Sequence, residues 1–152
     1  YKACWQIIID LILATDMAKH HSTLQAANQR LDEGPLDLHN DNNKIMVMQL
    51  FLKCGDISNV SRPFEFADKW CDVLCDEFFR QGDLEKTSGM EYTSPLNDRA
   101  HLDKPKSQIG FYTFVCLPLF QTVARAFPEL QVNVDQINSN LAVWKSRTEV
   151  SQ

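Results

Sequence analysis

The sequence predicts an all-α fold, and three observations carry that prediction. Apolar residues recur at the 3, 4, 7, 8 spacing of one helical face in the first segment, from Pro63 to Gly82, and again near the C-terminus. No stretch alternates apolar and polar residues with period two over more than a few positions. Proline, glycine and asparagine clusters divide the chain into helix-sized lengths, with no repeat, low-complexity tract or domain linker among the 152 residues.

Tyr1 to about Lys19 reads as the first helix. Ala3, Cys4, Ile7, Ile8, Leu11 and Ile12 form its stripe, and Ile9 and Leu13 widen it, which predicts burial over much of its surface. Ala14 to His21 closes it; the adjacent His20 and His21 would project about 100° apart on a helix, a poor arrangement for joint metal ligation. Ser22 to Arg30 is polar and weakly helical, Asp32-Glu33-Gly34-Pro35 is a turn, and Leu36 to Asn43 is a loop in which Asn42 or Asn43 is the expected cap. The next helix runs from about Lys44 to Cys54, with Gly55 relieving the backbone ahead of Asp56.

Pro63 to about Gly82 is the clearest amphipathic helix, with Ala67, Trp70, Cys71, Leu74, Phe78 and Phe79 as its stripe. Arg80-Gln81-Gly82-Asp83 is expected to break or bend it before a short charged helix at Asp83-Leu84-Glu85-Lys86. Gly89 to Pro105 lacks periodicity and reads as a long ordered loop. Pro105-Lys106-Ser107-Gln108 opens a strongly apolar helix reaching about Phe127, kinked at Pro118 and ended by Pro128. The last helix, about Asn133 to Lys145, places Val134, Ile137, Leu141 and Trp144 on one face, and Ser146 to Gln152 is expected to fray.

Composition narrows the function classes. A net charge of −5 and a pI near 5.3 argue against a general nucleic-acid binder. The five cysteines are an odd number without a C-x-x-C pair, and Cys71 and Cys75 share a helix face as core residues, so a reduced, cytoplasmic setting is expected. The longest apolar run, Ile109 to Phe120, falls short of a bilayer span, so no transmembrane segment is expected. The chain enters an apolar segment at once without an initiating Met, which reads as a piece of something longer.

Asp56 lies between the apolar run Ile45 to Leu52 and the helix start at Ser61-Arg62-Pro63, and burial of at least part of its carboxylate is expected. A buried carboxylate needs donors or a cation. Three readings are open: Asp56 caps a helix, pairs with Lys53 or Arg62, or binds a metal.

Four ordered motifs extend this reading: Leu13-Ala14-Thr15-Asp16-Met17-Ala18-Lys19-His20, Lys53-Cys54-Gly55-Asp56-Ile57-Ser58-Asn59, Glu77-Phe78-Phe79-Arg80-Gln81-Gly82-Asp83, and Lys106-Ser107-Gln108-Ile109-Gly110-Phe111. Together they resemble the C-terminal half of the catalytic domain of class I 3′,5′-cyclic nucleotide phosphodiesterases. The resemblance covers about Ile12 to Trp144 and implies that residues 1–152 are the C-terminal part of one compact all-helical catalytic domain. It implies hydrolysis of cAMP or cGMP to 5′-monophosphates at two divalent metals, usually Zn2+ in the tighter site and Mg2+ or Mn2+ in the other. Asp56 is similar to one zinc ligand. The remaining ligands and the general-acid His belong to H-N-x-x-H and H-D-x-x-H motifs that this sequence lacks, so no catalytic acid is expected within it.

By the same resemblance, Gln108 is the purine reader, its amide serving adenine or, flipped, guanine. Phe111 is the aromatic clamp and Leu74 the opposing aliphatic jaw. Asn59 is a polar pocket residue, Ile57 an apolar wall, Trp70 a floor aromatic, and Thr15 and Met17 line the metal and phosphate side. Met90 to Lys104 corresponds to a loop bordering the pocket. The implied partners are a cyclic nucleotide and the missing N-terminal half of the same domain, with an oligomer open. His20 is left as structural, His39 and His101 have no role, and Ser61-Arg62 and Asp83 to Lys86 read as solvated helix ends. Alone, the segment is expected to expose the apolar faces of its first helix and of the Gln108–Phe127 helix. The alternative is a truncated or degenerate relative that serves as a non-catalytic interaction module.

Overall fold

The computed structural model describes residues 1–149, apart from the side chain of Ala3. Among them, seven α-helices and no strand are found: α1 Lys2–Ala14, α2 His20–Asp32, α3 Asp41–Asp56, α4 Phe64–Thr87, α5 Lys104–Phe111, α6 Leu117–Ala126 and α7 Gln131–Glu149. The all-α prediction is met.

The most apolar part of the sequence becomes the central helix. α5 and α6 run on through a wide π turn, Tyr112–Cys116, in which the Leu117 amide donates to the Tyr112 carbonyl. Proline at 118 has no N–H and its ring crowds the preceding turn. The expected disturbance is therefore taken up as a widened turn just before it. Tyr112, Cys116, Phe120 and Ala124, each four residues apart, join Val60, Cys71, Val134, Ile137, Leu141 and Trp144 in one buried cluster. Leu119 and Val123 face the other way and join Leu24, Ala27 and Leu50. One helix thus supplies both halves of the core.

By length and composition, Lys104–Ala126 could cross a membrane. Here α2, α3 and α7 pack against it instead. This corrects the expectation of an open apolar face on this helix, where only Phe114 protrudes, at 77% exposure. The first helix shows the open apolar face expected of the segment alone: α1 packs chiefly on α3 and leaves Trp5 at 63% and Ile12 at 60% exposure, so the burial its wide stripe predicts is not reached within this chain.

Capping chemistry explains the shifted boundaries. Asp16 accepts a hydrogen bond from the Ala18 amide at 2.9 Å and starts a 3-10 turn, Met17–Lys19, that leads into α2. The single helix predicted to Lys19 is therefore two. Asn40, not Asn42 or Asn43, caps α3 by accepting from both of their amides. Asn43 is buried and bridges Arg30 to the Asp37 carbonyl. Gly55 lies within α3, and the only positive φ values among the described residues belong to Gly34 and Gly89. α7 stays helical through Glu149, against the predicted fraying from Ser146, while residues 150–152 fall outside the described part. Cys71 and Cys75 sit 3.9 Å apart at the core as free thiols.

α4 does not break at Gly82. A Cβ there would lie 2.1 Å from the Asn97 carbonyl oxygen, so glycine is required for the loop after α4 to lie against the helix. Glu85 fixes the same loop. Its carboxylate, in a buried residue, accepts from Thr93 Oγ1 at 2.5 Å, the Thr93 amide at 3.1 Å, Gln81 Nε2 at 2.9 Å and Asn97 Nδ2 at 3.1 Å. Asp83, read as a solvated helix end, pairs with Arg99 at 2.6 Å and anchors the loop further on.

Two outcomes test this arrangement. Gly82→Ala should lower stability by roughly 1–3 kcal/mol, the usual cost of overpacking. Gly55→Ala, whose added methyl meets nothing within 4 Å, should leave stability unchanged or raise it; chemical denaturation distinguishes the two. The hydrogen bonds from Thr93 and Gln81 hold the Glu85 carboxyl down at about 2, against an ordinary 4.5. A depressed pKa stabilises the folded state above the unfolded value, and that contribution is lost as pH falls through the folded one. Hydrogen exchange should show the loop 88–103 loosening as pH drops from about 4.5 toward 2, and Glu85→Gln should show that loosening at neutral pH.

Candidate functional site

The segment after α3 builds the site. α3 ends at Asp56, a 3-10 turn spans Ser58–Ser61, and α4 begins at Phe64. Such a turn leaves carbonyls without intrahelical partners. Asn140 of α7, fully buried, donates to the Val60 carbonyl at 2.9 Å and to the Arg62 carbonyl at 2.8 Å. The turn is thereby tied to the far side of the core.

An open hollow of about 470 Å³ lies over this segment, lined by Gly55, Asp56, Ser58, Asn59, Arg62, Pro63, Phe66, Trp70 and Leu74. Trp70 and Leu74, one turn apart on α4, present apolar surface to it, and Trp70 is 55% exposed. A second, small hollow of about 20 Å³ is lined by Thr15, Met17, His20, Lys53, Asp56, Ile57 and Leu119. Asp56 borders both.

The expected burial of the Asp56 carboxylate is not found. Asp56 is exposed, because the last turn of α3 carries it past the core, whereas Lys53 is buried. Lys53 Nζ donates to the Ala14 carbonyl at 3.0 Å, capping the C-terminus of α1, and burial lowers its pKa. Among the described residues Asp56 forms no ion pair, with Lys53, Arg62 or any other cation, and it caps no helix N-terminus. Instead it stands at the C-terminal, negative end of α3, where a carboxylate is disfavoured unless a cation joins it. The capping reading is thus removed, while Lys53, across the small hollow, interacts with Asp56 only through space.

Asp56, Asn59, Trp70 and Leu74 are brought together at the larger hollow, and Thr15, Met17 and Ile57 meet Asp56 at the smaller one. Gln108 and Phe111 line neither. They lie half-buried on α5, and Phe111 packs against the same core cluster as Ile57. The Gln108 side-chain amide has no hydrogen-bond partner within the described chain. No three His, Cys, Asp or Glu side chains converge on a metal-sized site among the described residues. Asp56 fits a metal as one ligand only, and a complete site needs others from outside this chain.

Sequence reasoning missed Arg62 and Phe66 as lining residues and left His20 as structural; it is buried, with its ring against the Val115 backbone. Burial, with the charge of Lys53 beside it, holds the His20 pKa below the ordinary value and keeps the ring neutral. Phe66 was legible, since it precedes Trp70 by one helical turn on α4. His20 closes the first motif, but its burial was not legible there, because its surroundings come from the turn after α1, from α3 and from α6.

The family model described as 3′5′-cyclic nucleotide phosphodiesterase matches residues 1–137. The human high affinity cGMP-specific 3′,5′-cyclic phosphodiesterase 9A is 37% identical over 147 residues, covering 97% of this chain and 23% of that protein. The probable 3′,5′-cyclic-AMP phosphodiesterase pde-4 of Caenorhabditis elegans is 36% identical, covering 93% of this chain and 22% of its own length. This chain therefore spans less than a quarter of those relatives. Among solved structures, the phosphodiesterase domain of the Salpingoeca rosetta rhodopsin phosphodiesterase superposes with a TM-score of 0.88 at 32% identity, covering 96% of this chain and 45% of that one. LmjPDEB1 in complex with IBMX gives 0.89 at 36% identity, covering 97% and 44%. By sequence over most of its length and by the course of its helices, this chain belongs to the 3′,5′-cyclic nucleotide phosphodiesterase family.

Proposed function

We propose that residues 1–152 are the C-terminal part of a phosphodiesterase catalytic domain, and that the assembled domain hydrolyses 3′,5′-cyclic nucleotides, cAMP, cGMP or both, to 5′-monophosphates. Family membership supports the reaction class. The observation that carries the site is Asp56: an exposed carboxylate at the negative end of α3, in no direct ion pair among the described residues and bordering both hollows. Asp56 would hold a divalent metal, Zn2+ with Mg2+ or Mn2+ nearby, together with His and Asp ligands from the missing N-terminal half. When bound, such ions supply Lewis-acid neutralisation of the phosphodiester charge and acidify water.

This chain's own residues then bind and orient the nucleotide. The Gln108 amide, with one acceptor and two donors, reads the purine edge. Phe111 stacks on the base, with Leu74 as the opposing jaw and Trp70 as the floor. Asn59 contributes a polar contact and Ile57 an apolar wall. Thr15 and Met17 border the phosphate side. The general-acid His comes from outside the chain, and the apolar face of α1 supports that reading, since Trp5, Ile8, Ile9, Ile12 and Leu13 are open for a covering segment.

In the full-length protein, Asp56→Asn should lower bound metal and abolish hydrolysis. Gln108→Ala should keep its metal while raising KM roughly 10- to 100-fold, the usual effect of losing buried hydrogen bonds to a ligand. Unchanged nucleotide affinity in that variant would remove the pocket assignment. Expressed alone, the 152 residues should aggregate or self-associate through α1; a soluble monomer with a cooperative melt would favour the interaction-module reading instead.

A further inference from the structure

Three helices meet at one charged point away from both hollows. Asp68 of α4 accepts a hydrogen bond from Lys104 Nζ at 2.9 Å on one oxygen and from Arg147 Nη2 at 2.9 Å on the other. Lys104 also donates to Asp72, one turn further along α4. Both cations sit over buried Trp144 of α7, Lys104 Nζ at 5.4 Å and Arg147 Cζ at 5.0 Å from the ring centroid. Arg147 also covers Phe64, whose ring meets Trp144 edge-on at 5.1 Å. Asp68 and Lys104 are largely shielded, with side chains 23% and 28% exposed.

Lys104 is the first residue of α5. A cation is disfavoured at a helix N-terminus, so helix electrostatics do not place it there. The two α4 carboxylates outweigh that cost. Burial alone would lower the Lys104 pKa, yet its bonds to Asp72 and Asp68 hold it above the ordinary value.

Gln108 lies four residues after Lys104, about 6 Å along the same face of α5. On α4, Asp68 and Asp72 form one stripe, while Trp70 and Leu74 form another, two residues out of phase and lining the larger hollow. One stripe is gripped while the other is displayed. Resting on the reading of Gln108 as the base contact, we propose that Lys104 and Asp68 are positioning residues: their clamp fixes the rotation and height of Gln108 relative to the Trp70–Leu74 wall.

The test uses full-length protein and steady-state hydrolysis of cAMP and cGMP. Lys104→Met should raise KM about five- to thirtyfold, with kcat and metal content within twofold of wild type, and Lys104→Arg should restore KM. Combined with Gln108→Ala, Lys104→Met should add less than twofold, because it acts only through Gln108. Lys104→Gln, which keeps a donor, carries the same cycle if the Met variant does not fold. An unchanged KM for Lys104→Met beside a raised KM for Gln108→Ala overturns the clamp and leaves the pocket reading standing. Fully additive effects, or equal losses in kcat and thermal stability, also overturn it. An unchanged KM for Gln108→Ala overturns the pocket reading first and the clamp with it.

Discussion

The two hydrogen bonds from Asn140 to the Val60 and Arg62 carbonyls are the constraint on which the site depends. The residues between α3 and α4 must turn sharply to aim Asp56 and Asn59 at one hollow, and a sharp turn strands carbonyl groups beside an apolar core. Burying them unpaired would cost about 1–3 kcal/mol each. A side-chain amide from α7, itself fully buried, satisfies both at once, and its own oxygen accepts from Gln136. The geometry at Asp56 is thus set by a residue more than eighty positions later, and the central helix must hold α7 in place for it to act.

Much of the fold was legible because helical periodicity reports directly on burial. The stripes of α4 and α7 and the long apolar run of the central helix were read correctly in kind and approximate extent. What failed was local chemistry with long-range partners. Gly82 reads as a helix breaker by propensity, but its role is to admit the Asn97 backbone, a contact with a loop whose course no pattern reveals. Asp56, expected to be partly buried, is exposed while Lys53 is buried, because three residues separate them on α3, enough to turn one toward open space and the other toward Ala14. Of the residues assigned to the site, Asp56, Asn59, Trp70 and Leu74 line one hollow, whereas Gln108 and Phe111, picked out by motif resemblance and not by spacing, line neither hollow and lie half-buried on α5.

The chain combines a complete core with an incomplete surface. Tyr112, Cys116, Leu119, Ile137 and Trp144 are sealed without help from outside the described residues. On α1, α3 and α4, by contrast, large apolar side chains lie open, including Trp5, Phe51, Phe66 and Trp70. The open apolar faces of α1, α3 and α4 are where the proposed remainder of the domain would pack.

The π turn at Tyr112–Cys116 has a consequence for how such a pocket could change in evolution. A π turn holds one residue more than the regular helix it interrupts. Because the wide turn absorbs that residue, losing it would return the backbone to the α ladder with Lys104, Gln108 and Phe111 still on their present face and α6 still seated in the core. The same loss in a regular stretch of α5 or α6 would rotate everything before it by about 100°. This joint is thus the one place in the central helix where length can drift without re-aiming α5.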